Sequence, residues 1–478
     1  MEKNHREFKP GIKPDNLGTR LKGLRKNRRA KLSRMRPPPG KKEVSEPELQ
    51  TMISQLVWGP DLMGYLSGLH QILVVGVLAE DYFNILFENP VIIKTLVHTL
   101  NQPLTVENEQ LLKLTAMCVV CISGHSSEDE WVPVLLGHNI LDVLSQHLAQ
   151  QYSNYDFYDS LLMICGNICF DSAKARDLLC SHGIVQLVAV HFDDEPLLRV
   201  RVSDFFNTLF VCKPMLEPVH VAELWTKVRP IAFQSNSLYT IDTVYRMLAN
   251  ETYQAILVND TELLTQLVNI LVDPTGDPDI QVSALGGIRQ LTMTNTEYMI
   301  QHYDVVNLFV RMFMSTSTDV QEAAAGGLAT CARNVDISDQ LCSPGVFPVF
   351  KQMFTRVRVW RITSELLWTV LFTLDHAINA NNGQIVMFMC NARMLTHITQ
   401  VFTRNSQYLK QQALNVVLGL LRFPFIKNYL EESRTISAIE EIAISPGPSP
   451  EAEQIMRIIE GRVMDVELDE EIPDIYTF

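Results

Sequence analysis

The chain has 478 residues, of which 47 % are hydrophobic, with ordinary amounts of glycine and proline; this excludes a linker or a wholly disordered polypeptide. Its N-terminus is too charged for a secretory signal, and apolar stretches such as Ile72 to Ala79 fall far short of the ~20 residues that a membrane span needs. The net charge of −14 is unevenly divided: residues 1–42 hold 15 Lys and Arg against Glu2, Glu7 and Asp15 (+12), and the remainder holds 25 basic and 51 acidic residues (−26).

In chain order, residues 1–42 form a separate basic unit. Pro10 and Pro14 oppose helix, Asp15 or Asn16 caps a helical stretch up to Met35, and Pro37-Pro38-Pro39-Gly40 ends it. The stretch has too few apolar residues to bury, so it is expected to be disordered alone and helical when bound. From Glu48 to about Ile444 helix follows helix, with apolar residues recurring at three and four, as at Leu56, Leu66, Leu69, Ile72 and Leu73. Turn signals fall between them, as at Gly59-Pro60, Asn89-Pro90, Gly183, Asp273-Pro274 and Pro344-Gly345.

A period runs through these helices. Cys121, Asn167, Asn207, Leu248, Gln290, Thr330 and Phe372 occupy matching places, at gaps of 46, 40, 41, 42, 40 and 42. Between them Asn139–Leu144, Gly183–Val188 and Gly345–Phe350 also match one another. This is the armadillo/HEAT spacing, and the expected fold is all-α: a right-handed armadillo-repeat superhelix of about ten repeats over residues 43–445. Residues 446–478 are expected to hold a last-repeat helix (Glu451 to Glu460) and the acidic tail from Glu467 to Asp474.

Catalytic signals are missing. Cys118-Val119-Val120-Cys121 has no second pair to complete a zinc site, and the nine cysteines, an odd number, point to free thiols in a reducing compartment. Gly18 and Gly23 have the spacing of a phosphate loop, but Leu24 and Arg25 stand where Lys and Ser/Thr are required. No enzyme activity, cofactor or metal is expected. The basic head alone also fits a phosphate-binding tail or a nuclear localisation signal.

Several segments together resemble the importin-α family of nuclear import adaptors. Gly166-Asn167-Ile168-Cys169-Phe170-Asp171, followed by Arg176-Asp177-Leu178 and Gly183, is similar to that family's third repeat. Shorter echoes follow in family order: Ile122-Ser123-Gly124, Cys212-Lys213-Pro214, Glu365-Leu366-Leu367-Trp368, Ala413-Leu414-Asn415 and Ile458-Ile459-Glu460. Phe8-Lys9 and Leu24-Arg25-Lys26-Asn27-Arg28-Arg29 resemble the importin-β-binding segment.

The resemblance implies an adaptor shuttling between cytoplasm and nucleus. Importin-β would take Arg20, Lys22, Arg25, Lys26, Arg28, Arg29, Lys31, Arg34 and Arg36. Cargo proteins with basic signals would lie against Gly124, Asn167, Asp171, Asn207, Glu365 and Trp368, and Ran-GTP with an export receptor would complete the cycle. Asp171 matches the aspartate that pairs with the critical cargo lysine, with the Gly124 carbonyl assisting. The family's ladder of Trp and Asn four residues apart is largely missing. The pairs read Met117/Cys121, Met163/Asn167, Ser203/Asn207, Gly326/Thr330 and Trp368/Phe372. A lost cation–π contact removes ~0.5–2 kcal/mol, so the alternative is an armadillo scaffold with other partners. From the residues alone, Asp171 also reads as a turn cap, the two asparagines as backbone braces, and Trp368 as core.

Overall fold

The computed structural model describes Pro47, residues 62–76, 90–124, 131–150, 154–190, 196–210, 238–257, 260–273, 275–294, 296–333, 340–404, 406–445 and 449–461, and scattered positions between 216 and 229. The expected importin-β segment and the acidic tail lie outside the described residues. Among those described there is helix and no strand.

Two compact units divide the chain between Gly287 and Ile288. The division falls within a helix. In the N-terminal unit α1 (Leu62–Gly76), α2 (Pro90–Leu100) and α3 (Glu109–Ser123) lead into the triplet α4 (Trp131–Gly137), α5 (Ile140–Leu148) and α6 (Tyr155–Asp171). The triplet α7 (Ala173–Ser181), α8 (Ile184–Val190) and α9 (Pro196–Leu209) follows, then α10 (Leu238–Leu248), α11 (Glu251–Leu257), α12 (Thr261–Val272) and α13 (Pro278–Thr294), which carries the division.

The C-terminal unit has α14 (Thr296–Tyr303), α15 (Val305–Phe313) and α16 (Thr318–Ala332), then α17 (Phe347–Arg356) and α18 (Trp360–Asn379). It ends with α19 (Gly383–Asn391), α20 (Leu395–Phe402), α21 (Gln407–Leu420), α22 (Ile426–Glu432), α23 (Thr435–Ala443) and α24 (Pro450–Ile459).

Each triplet is an armadillo-type repeat: short first helix, second helix, long third helix. All seven periodic positions of the sequence lie on third helices, at or near their C-terminal ends. Third helices stack on third helices, as α1 on α3, α3 on α6 and α6 on α9, and in the other unit α16 on α18, α18 on α21 and α21 on α24. Second helices form a parallel layer, α2 against α5 and α5 against α8, with α20 against α23 in the C-terminal unit. The sequence explains why a third helix needs a neighbour on each side. In α16, ten of fifteen residues are buried, more than one apolar stripe holds.

Local chemistry starts and stops the helices. Side chains of Asn154, Ser172 and Asp260 accept from the N–H three residues on (each 3.1 Å) at the starts of α6, α7 and α12. Gly183 turns the chain from α7 into α8 with φ +69, where an L side chain would be strained. Side-chain bonds then fasten one repeat to the next at about the repeat length. Arg201 Nε reaches Asp159 at 2.7 Å, His147 Nε2 meets the Leu100 carbonyl at 2.6 Å and His376 Nε2 meets that of Arg333 at 2.8 Å.

The cysteine pairs belong to the core. Cys118, Cys121, Cys165 and Cys169 are buried and in no disulfide, and burial pushes the Cys121 thiol up to about 12. Burial likewise raises the Cys118 and Cys165 thiols, and all four side chains pack as small apolar groups.

Arg176 on α7 is 1 % exposed, with Nε 2.9 Å and Nη2 2.8 Å from Asp177 Oδ1. Its stem fills core volume as a large apolar residue would. Arg176→Ala is expected to lower stability by about 3 kcal/mol, read from the midpoint of urea unfolding; a change within experimental scatter would show that this arginine does not hold α7 in place.

Candidate functional site

The residues expected to meet cargo fall on third helices in both units, near the C-terminal ends in the N-terminal unit and in the first half of α18 in the other, and each set is described by itself. In the N-terminal unit Gly124 follows the last turn of α3, and Asp171 is the last residue of α6. Asn167, one turn before Asp171, is buried, and its Nδ2 donates to the Val120 carbonyl (3.2 Å) and to Ser123 Oγ (3.1 Å) on α3. That bond sets the ends of α3 and α6 side by side, so Gly124 and Asp171 stand at neighbouring helix C-termini. The partial negative charge of two helix ends adds to the formal charge of an aspartate. The Asp171 side chain itself lies outside the described residues.

Asn207 on α9 is also buried, and its Nδ2 donates to Asp242 Oδ2 on α10 (2.9 Å), which Arg246 also holds at 2.9 Å. Both amide nitrogens are thus engaged between repeats, the bracing reading of the two asparagines. Met117 and Met163, at the Trp positions of α3 and α6, remain half-buried beside them. The nine basic residues from Arg20 to Arg36 lie outside the described residues.

In the C-terminal unit α18 presents Glu365, Trp368 and Phe372 on successive turns. Trp368 and Phe372 stack with centroids 5.3 Å apart and planes at 21°. The guanidinium of Arg333, at the end of α16, sits 5.3 Å from the Phe372 centroid. A cation already rests on Phe372, the ring stacked against the Trp368 that was expected to meet cargo.

The acid nearby is similarly engaged. Arg289 of α13 donates from Nε to Thr330 Oγ1 on α16 at 2.8 Å. A Cβ on Gly326 would lie 2.8 Å from Arg289 Nη1 and 3.7 Å from Glu365 Oε2. The space left by the missing ladder tryptophan is therefore bounded by an arginine from the preceding repeat and a glutamate from the following one. Glu322, on α16, pairs with Arg361 at 3.3 Å.

Sequence reasoning selected Glu365 and Trp368 and passed over Arg289, Arg333 and Glu322. The usable signal was spacing: Arg289 precedes Thr330 by the repeat length, and charge is unusual in the apolar run from Leu285 to Leu291. Glu365 Oε2 is buried with no hydrogen-bond partner. Burial raises its pKa above the usual carboxylate value, Glu322 adds to the shift, and Arg289 and Arg333 oppose it. Glu322 is raised in the same way, by burial first and Asp319 second, against Arg361.

The sign of the resulting pH dependence follows. Between the ordinary and the raised value the folded chain holds a proton that the unfolded chain has released, so stability falls as pH rises through that window. Glu365→Gln removes the group that titrates. The melting temperature of Glu365→Gln relative to the parent chain is expected to be highest at pH 7.5 and to drop steadily towards pH 5; a difference independent of pH would contradict the raised pKa.

No family model and no curated protein matches this chain. Among solved structures, an engineered protein from a structural-genomics consortium aligns over 86 % of this chain and 98 % of its own at 13 % identity, with a TM-score of 0.66. Two designed armadillo-repeat proteins, one in complex with the peptide (KR)4, align over 59 % of this chain and 99 % of their own at 14 % identity, with TM-scores of 0.35 and 0.34. The likeness at TM-score 0.66 is one of fold alone: the chain shares an all-helical repeat architecture with that engineered protein.

Proposed function

We propose that this protein is a non-enzymatic adaptor for nuclear import, which takes basic localisation signals against the third helices of its N-terminal unit and importin-β on residues 1–42. The observation that carries this reading is the pairing of the α3 and α6 C-termini through Asn167, which puts Gly124 beside Asp171. Two neighbouring helix C-termini favour one ammonium group, and in the resembled family the aspartate matching Asp171 pairs with a cargo lysine. The half-buried Met117 and Met163 offer adaptable apolar surface to the stem of a lysine, in place of indoles.

Charge supports the same reading. A head of +12 and a body of −26 on one chain attract each other, and tethering gives the head a high effective concentration at the acidic body. Importin-β would remove the head and open the body to cargo. By the family resemblance, Ran-GTP and an export receptor then return the adaptor, which shuttles between cytoplasm and nucleus. The second reading, an armadillo scaffold for other partners, is favoured by the arginines already seated around Glu365 and Phe372.

Titration of a lysine-rich signal peptide into the chain lacking residues 1–42 separates the two. Adaptor function gives saturable binding that Asp171→Lys weakens by about a hundredfold, the scale of a charge-assisted contact turned into repulsion. Binding indifferent to Asp171→Lys, or no binding, would move the assignment to the scaffold. Retention of importin-β by residues 1–42 alone is expected as well, and failure there removes the adaptor role.

A further inference from the structure

Gly326 stands where the importin-α family that the chain resembles carries a tryptophan, and the space beside it is not open. Arg289 reaches into it from one repeat earlier and is fixed by its bond to Thr330, the residue at the paired asparagine position. Its Nη1 and Glu365 Oε2 both face the point where a side chain of residue 326 would begin. Around that point stand three cations, Arg289, Arg333 and Arg361, and two carboxyls, Glu322 and Glu365. One of the carboxyl oxygens, Glu365 Oε2, is buried and lacks a hydrogen bond. Arg289 itself is half-buried, so its outer side is open to solvent.

We infer that Arg289 is a built-in occupant of a cation site at Glu365, while Arg361 holds the neighbouring Glu322, and that Arg289 closes the C-terminal unit to basic peptides. An arginine held in this way does what a ligand arginine would do. It brings positive charge to the Glu365 carboxyl and a flat group to the face of Gly326. An incoming cationic side chain meets like charge and no vacant volume, and is rejected by repulsion rather than by lack of an acid. Arg333, lying on Phe372, denies the neighbouring aromatic face to the same ligand. Specificity is thereby confined to one unit, with Arg289 as its determinant in the other. The inference uses the basic-peptide reading of the N-terminal unit only as an internal reference.

The test uses the full-length chain and an octapeptide of alternating lysine and arginine carrying a central photoreactive phenylalanine. Cross-linked sites are mapped by mass spectrometry. In the parent chain the segment Trp360–Asn379 is expected to stay unlabelled. Arg289→Gln keeps a donor for Thr330 and removes the charge; Arg289→Ala also vacates the volume. Either is expected to raise labelling of that segment by about tenfold or more, since like-charge repulsion is relieved. Adding Glu365→Gln to Arg289→Gln is expected to abolish the gain. Labelling of the segment in the parent chain, no gain in both folded variants, or a gain that survives Glu365→Gln would each overturn the inference. Loss of labelling in the N-terminal unit alone would count against the proposed function and leave Arg289 in its role.

Discussion

The third helices depend on being buried from both sides. A helix such as α16, with most of its residues inside, has no solvent face broad enough to stand alone. Each repeat is therefore stable only between neighbours, and the apolar seam from α16 through α18 to α24 is what the C-terminal unit consists of. Gly327 shows how close that seam runs. A Cβ there would overlap the Phe309 ring of α15, so the two helices approach over a position where only glycine leaves room. Every other feature of the chain is written on the margins of this packing.

The polar side chains on those margins work between repeats rather than within them. Arg201 with Asp159, Asn207 with Asp242, Arg289 with Thr330 and His376 with the Arg333 carbonyl each link positions roughly one repeat apart. Such bonds add little free energy singly. Their effect is on register, because sliding one third helix along another by a turn would break the bond while leaving the apolar contact nearly intact. Glu365 shows the other side of the same setting: for a carboxyl in a seam without a donor for one oxygen, burial pushes the pKa above the usual carboxylate value.

Much of the fold was legible because periodicity belongs to the sequence itself. The spacing from Cys121 to Phe372 located third helices at all seven positions, and Ile140, Ile184 and Phe347 lie in or at the starts of second helices as their matching contexts suggested. The division between Gly287 and Ile288 was not legible, since Gly286 and Gly287 look like two more residues of a helix. The site was readable only in part. Asp171 and Gly124 announce themselves by motif, and their helix-end placement follows from where α3 and α6 stop. Arg289 and Arg333 do not, because their meaning lies in what stands a repeat away, Gly326 for one and Phe372 for the other.

The missing ladder acquires a physical sense from those pairs. At Gly326 and Thr330, Arg289 has taken the space and the hydrogen bond. At Phe372 an aromatic ring replaces an amide, stacks on Trp368 and receives Arg333. At Asn167 and Asn207 the amides survive, but their nitrogens donate to neighbouring third helices. In each case a group of the kind that elsewhere meets an extended peptide meets this chain's own side chains or backbone instead. The repeat packing does not depend on these positions, because third helices contact one another from α16 through α18 and α21 to α24 whatever stands at them, and the partial negative charge at the C-termini of α3 and α6 belongs to the helices themselves.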